Sequence, residues 1–199
     1  MRQRKNAELR KPEILEHFYQ VIIQQGLESA SIAKIAESMG IHPSLIFHYF
    51  KTKDAMILAL AEYLREKYDP PFIRDQFVSI KDPQHRFNMF FNIMFSETNV
   101  KTVNTSVFYA FYYLSYRNPE IHNRFADMFK EHRDFIVQEL EFFKKEGLIK
   151  KDIDLELAAD FIVSIFEGLA FHVDFLAAGK PFEVFGQFAK KITMDFLKK

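Results

Sequence analysis

The sequence predicts an all-α protein: an N-terminal three-helix head, then a larger helical bundle, about nine helices in all. Three observations carry that expectation. Apolar residues recur at the three-four spacing of one buried helical face along most of the chain. Only 6 Gly and 7 Pro punctuate 199 residues, and no strand-like hairpin pattern or internal repeat interrupts them. Hydrophobic residues make up 48% of the chain, including 24 Phe, which is enough to bury a sizeable core.

The elements follow in order. A first helix spans about Lys11 to Gln25, with Ile14, Leu15, Phe18, Val21 and Ile22 facing inward and Gly26 as its C-terminal cap. Ser31 is a good N-cap for a second helix to Met39, whose inward positions are Ile32, Ile35, Ala36 and Met39. Gly40 stops it, and Pro43 opens a short third helix to about Phe50. Thr52 caps a fourth, with Ile57, Leu58, Ala61 and Leu64 inward, until Asp69-Pro70-Pro71 breaks it. A domain boundary is expected there, giving 1–68 and 69–199. The second part reads as helices over about 83–98, 103–116, 119–146, 155–178 and 181–198.

Composition narrows the function classes. The absence of Cys removes disulfide and thiolate chemistry and suits a reducing cytoplasm. The longest uncharged run, Thr102 to Tyr116, is too short and too polar for the roughly 20 residues of a membrane span. Net charge is zero, but Arg2, Arg4, Lys5, Arg10 and Lys11 face only Glu8 at the N-terminus. Basic character therefore gathers at one end, as an arm along a DNA duplex or a solvated tail would have it. There is no Gly-rich phosphate loop, paired metal-ligand motif or nucleophile elbow, so neither an enzyme nor a cofactor is expected. His85, His122, His132 and His172 lack the spacing that places two imidazoles on one helical face, so no metal site is expected.

The informative stretch is SIAKIAESMGIHPSLIFHYFKTK, from Ser31 to Lys53. Two short helices around a tight Gly turn make a helix-turn-helix, whose second helix enters the DNA major groove. Ile35, Met39, Ile41, Ile46 and either Tyr49 or Phe50 would form the shared core. The segments IAKIAESMGI and LIFHYFKTK, with the preceding helix and Gly26, resemble the TetR family of regulators over roughly residues 10–65. The resemblance implies a dimer that sets two such heads on a palindromic operator in double-stranded DNA. The family commonly has Lys, Gly and Thr where Pro43, Ser44 and Leu45 stand here, and Tyr where Phe47 stands. Operator sequence therefore does not carry over from relatives.

The expected DNA-binding residues are Ser31, Lys34, His42, Pro43, Ser44, Leu45, His48, Tyr49, Lys51 and Lys53. His42 to Leu45 lie at the base-reading end, Ser44 for a hydrogen bond and Pro43 and Leu45 for thymine methyls. His48 and Tyr49 suit phosphates, which position the head without reading sequence. Lys53 opposes the dipole of the fourth helix, which makes sense if both hold a phosphate. Lys34 and Lys51 are weaker candidates of that kind.

The second part carries most of the aromatic residues, and the resemblance implies that it binds a small-molecule effector. The candidates are Phe91, Asn92, Phe95, Phe108, Tyr109, Tyr112, Tyr113, Phe166 and His172, apolar walls with a few polar groups. Helix 83–98 sets Phe87, Phe90, Phe91 and Met94 on one stripe and Asn88, Asn92 and Phe95 on the next. Helix 103–116 sets Phe108, Tyr112 and Ser115 on one side and Tyr109, Tyr113 and Tyr116 on another. Such stripes are also what an ordinary core contains.

Two wide apolar faces on the last two helices exceed what one bundle needs, and a homodimer through them is the outlet. Gly168 sits within the first of them, where a close helix crossing would explain it. The function expected is a one-component regulator, a repressor released from its operator by a small, largely apolar effector. The competing reading is a helical ligand-binding or adaptor protein of the same fold that has lost DNA binding. Movement would pass through the connection at Asp69–Arg74.

Overall fold

The computed structural model describes residues 7–68, 74 and 77–198. Ten helices carry the described architecture: α1 (Ala7–Gln25), α2 (Ile32–Ser38), α3 (Pro43–Tyr49), α4 (Lys53–Tyr68), α5 (Pro83–Met94), α6 (Glu97–Val100), α7 (Thr105–Ser115), α8 (Pro119–Lys145), α9 (Leu155–Phe175) and α10 (Phe182–Lys198). The described residues contain no strand. Arg2, Arg4, Lys5 and most of the connection after residue 68 lie outside the described residues.

The chain forms two compact units, Met1–Tyr68 with Val103–Asp127 and Asp69–Thr102 with Met128–Lys199. The block expected as 69–199 is thus divided, because α7 and the start of α8 are bound to the head. The Tyr19 hydroxyl accepts the backbone N–H of Asn104, the N-cap of α7, at 2.7 Å. Arg124 bridges Glu62 on α4 at 3.1 Å. Both links join residues far apart in sequence.

In the first unit, Ile14, Leu15, Phe18, Val21 and Ile22 are all buried on α1. Ser31 caps α2 through the N–H of Lys34, Pro43 opens α3, and Thr52 accepts from Ala55 N–H at the start of α4. The turn between α2 and α3 depends on Gly40, whose φ of +62° is one that a side chain with Cβ rarely adopts. On α4 the buried stripe is Met56, Leu60, Ala61 and Leu64, with Ile57 and Leu58 half-buried beside it. Ala61 and Leu64 are inward as expected, while Met56 and Leu60 take the places expected for Ile57 and Leu58, because Met56, Leu60 and Leu64 keep a strict four-residue step. On α7 the buried residues are Val107, Phe111 and Ser115, and Phe111 stacks on Phe125 with centroids 6.4 Å apart. Of the two expected sides, Ser115 belongs to the buried face, while Phe108, Tyr109, Tyr112, Tyr113 and Tyr116 flank it and are more exposed.

Between α1 and α4 the Tyr63 hydroxyl donates to Glu16, and Lys67 approaches the same carboxylate at 3.6 Å. Burial alone would raise the Glu16 carboxyl, but Tyr63, Gln20 and Lys67 together hold it below the ordinary 4.5. Hydrogen bonding from Arg65, with help from Arg124, likewise holds Glu62 low against its partial burial. A depressed folded value stabilises the fold above the unfolded value, and that stability is lost as pH falls through the folded one. Acid unfolding is therefore expected to set in below about pH 4.5, and Glu16→Gln to flatten that limb. An unchanged acid limb in the variant, followed by circular dichroism, would contradict this.

The second unit is built on phenylalanine. Phe87, Phe90, Phe91 and Met94 of α5 are buried, and Phe87 meets Phe143 edge to face at 5.0 Å. The helix expected over 83–98 breaks after Met94, because the Ser96 hydroxyl accepts the N–H of Asn99 and starts α6. Arg86 and Glu139 form a buried bidentate pair in this core. Ala158, Ala159, Ile162 and Phe166 of α9 face inward, as do Phe182, Gly186, Ala189, Thr193 and Leu197 of α10. Within the single chain the close approach is at Gly186, not at Gly168. A Cβ on Gly168 would meet nothing within 4 Å, whereas one on Gly186 would lie 2.5 Å from the Phe95 carbonyl oxygen.

Candidate functional site

The head is assembled from α1 to α4. Ile35 and Ala36 of α2, Ile46 of α3 and Phe50 just after it are buried together with the α1 stripe, and they fix how α3 is presented. Of the two aromatic candidates for this core, Phe50 takes the place. Tyr49 is half-buried, its ring edge-on to His48 with centroids 5.1 Å apart.

The outward face of α3 carries Ser44, Phe47 and His48, spaced i, i+3 and i+4 and all exposed. Pro43 and Leu45 are half-buried. His42 and Ser44, expected as separate base contacts, are paired with each other. His42 is the N-cap of α3, and its Nδ1 lies 2.8 Å from the Ser44 hydroxyl and accepts the Ser44 backbone N–H at 3.3 Å. The ring is held by its own helix before any ligand arrives. Lys51 is exposed and Lys34 is half-buried. Ser31 is exposed and serves as the cap of α2.

Lys53 stands at the first position of α4, with its ammonium on the Leu27 carbonyl at 3.0 Å and the Glu28 carbonyl at 3.4 Å. These carbonyls lie just past the end of α1, so the side chain pins the α1–α2 loop. The sequence gives no warning of this, because the partners are 25 and 26 residues away.

The nine expected effector residues are divided between the two units. Phe108, Tyr109, Tyr112 and Tyr113 belong to the first unit, and Phe91, Asn92, Phe95, Phe166 and His172 to the second. Tyr112 and Tyr113 are exposed, and the Tyr112 and Tyr116 hydroxyls bond each other at 2.9 Å. Phe91, Phe95 and Phe166 are buried core, and Asn92 is exposed and accepts from Lys190. Only His172 lines the groove of about 310 Å³ between α9 and α10, with Ile165, Leu169, Phe185, Phe188 and Ile192. Its Nε2 is buried there without a hydrogen-bond partner, and its ring lies 4.6 Å from that of Phe185. Phe47 on α3 and the residues of this groove other than His172 are absent from the expected site sets. The i, i+3, i+4 relation of 44, 47 and 48 is the signal that would have found Phe47.

Two family models match. Residues 14–60 match bacterial regulatory proteins of the tetR family, and residues 82–198 match the tetracyclin repressor-like C-terminal domain. The chain is 25% identical over 169 residues to the HTH-type transcriptional regulator PksA of Bacillus subtilis, covering 83% of this chain and 78% of that protein. It is 29% identical over 116 residues to the regulator BetI of Brucella abortus, which is 57% of each chain. Among solved structures, a TetR transcription regulator from Haloarcula marismortui superposes with TM-score 0.81 at 19% identity, over 96% of this chain and 100% of that one. A transcriptional regulator from Saccharomonospora viridis in complex with choline also gives 0.81, at 18% identity, over 96% and 99%. No helix among the described residues is long and apolar enough to cross a membrane. The chain belongs to the TetR family and is a helix-turn-helix, DNA-binding transcriptional regulator.

Proposed function

We propose that the chain works in the cytoplasm as a homodimer joined through α9 and α10, repressing from a palindromic operator until a small, largely apolar effector releases it. One observation carries the dimer. Leu157 and Phe161 on α9 and Phe188, Ile192 and Phe196 on α10 are large apolar side chains left exposed, Leu157 and Phe188 at 67% each. A lone chain rarely leaves so many together in water, and two helices against their copies make a four-helix contact. Such a dimer spaces its α3 helices for half-sites about one DNA turn apart.

Sedimentation of the wild type and of Phe188→Asp tests this. The wild type is expected as a dimer, and the variant as a folded monomer whose operator affinity falls at least about ten-fold, because one head contacts one half-site. A monomeric wild type would sink the proposal.

At the DNA, Ser44, Leu45, Pro43 and His42 are assigned to base edges, and His48, Tyr49, Lys51, Lys34, Ser31 and Lys53 to phosphates. Binding is then expected to weaken steeply with salt. Lys53→Met is expected to cost about 1 kcal/mol of stability through the lost carbonyl bonds. It should also lower the salt slope by about one if the ammonium reaches a phosphate. An unchanged slope would leave Lys53 as the pin of the α1–α2 loop alone.

The effector is assigned to residues 69–199. A coupling between effector and operator can be no larger than the effector's preference between the two states. A thermal-shift screen of apolar and aromatic compounds, with choline included because the Saccharomonospora viridis regulator holds it, is the direct test. A compound that raises the melting temperature and lowers operator affinity supports the reading. One that raises it without touching operator affinity counts against release.

A further inference from the structure

The residues of α3 restrict what this head can read. Pro43–Tyr49 contains no Arg, Lys, Asn, Gln, Asp or Glu. The side chains that pair bidentately with guanine or adenine, or accept from cytosine, are therefore missing from the helix that enters the major groove. The Ser44 hydroxyl is already engaged by His42 Nδ1 at 2.8 Å. Beside it on the same face stands Phe47, a large apolar side chain that is 47% exposed.

From this we infer that Phe47 determines specificity by contacting the 5-methyl group of thymine in each half-site. The inference rests on the placement of α3 in the major groove. In that groove thymine is the base with an apolar group to offer, and burying it against a phenyl ring removes both from water. The same ring would cover the polar edge of guanine or cytosine without returning a hydrogen bond, which is unfavourable. Phe47 thus selects for thymine by attraction and against G·C pairs by desolvation.

The experiment starts from a randomised duplex library selected on the full-length wild type, on Phe47→Ala and on Phe47→Leu. Thymines enriched by the wild type are then replaced one at a time by deoxyuridine, which keeps every pairing group and removes only the methyl. The wild type is expected to lose about four-fold in affinity per methyl, or about fifteen-fold when both half-sites are changed, from the transfer of one methyl-sized group each. Phe47→Ala should be indifferent to that replacement and Phe47→Leu intermediate, with all three giving the same helical circular dichroism. Wild type binding uracil and thymine duplexes equally, or Phe47→Ala keeping the thymine preference, overturns the inference and leaves DNA binding intact. No enrichment of any duplex by the wild type overturns the placement of α3 in the groove, and this inference with it.

Discussion

Glu139→Ala is expected to lower the unfolding free energy by about 3–5 kcal/mol, the largest single effect foreseen for this chain. Arg86 Nη2 lies 2.5 Å from Glu139 Oε1 and Arg86 Nε 2.8 Å from Oε2, with the guanidinium 4.3 Å from the centroid of Phe142. The Glu139 side chain is 2% exposed and that of Arg86 11%. Removing the carboxylate leaves a cation among phenylalanines with no way to shed its charge, since a guanidinium does not deprotonate in proteins. The pair itself adds little net stability, because desolvating both ions offsets most of their attraction. The double variant Arg86→Met with Glu139→Leu should therefore recover most of the loss. Urea unfolding of the three variants checks both statements. A Glu139→Ala midpoint close to that of the wild type would refute the first, and a double variant as weak as the single would refute the second.

Gly186→Val should cost about 3 kcal/mol, at the upper end of what overpacking usually does. A Cβ there would come within 2.5 Å of the Phe95 carbonyl oxygen and 2.8 Å of a Phe182 ring carbon. The first neighbour is backbone and cannot swing aside. Gly186→Ala meets the same contact but gains about 1 kcal/mol of helix propensity, so its net loss should be smaller, about 1–2 kcal/mol. At Gly168, where no atom lies within 4 Å, the propensity gain stands alone within one chain. Gly168→Ala should therefore leave the chain as stable or slightly more so, by thermal unfolding. A Gly186→Ala variant more stable than the wild type would show that α10 can move away from Phe95.

These predictions mark the boundary of what is legible in a sequence. Gly168 and Gly186 look alike there, each a lone glycine inside a helical pattern. The difference between them is made by Phe95, some ninety residues from Gly186, whose carbonyl oxygen is turned toward one of them. Arg86 and Glu139 are likewise two unremarkable charges on separate helices, 53 residues apart. Periodicity placed Phe87, Phe90 and Phe91 on a buried stripe. It could not decide whether the stripe met a ligand or other phenylalanines, and Phe143 settles that for Phe87.

The head shows the same division at finer scale. Its helices, its caps at Ser31, Pro43 and Thr52, and the turn at Gly40 follow from local chemistry: cap oxygens near free N–H groups, a fixed proline φ, and a positive φ open to glycine. The family match over residues 14–60 covers that local pattern. Non-local contacts decided the rest. Tyr19 to Asn104 and Glu62 to Arg124 draw α7 and the start of α8 into the head's unit, and Lys53 turns to the α1–α2 loop. The burial of Ile46 and Phe50 turns Phe47 outward beside Ser44. Short-range sterics and capping act within a few residues and so are written in the sequence. Which side chain meets which across the core depends on packing among helices distant in the chain, and only the folded structure determines it.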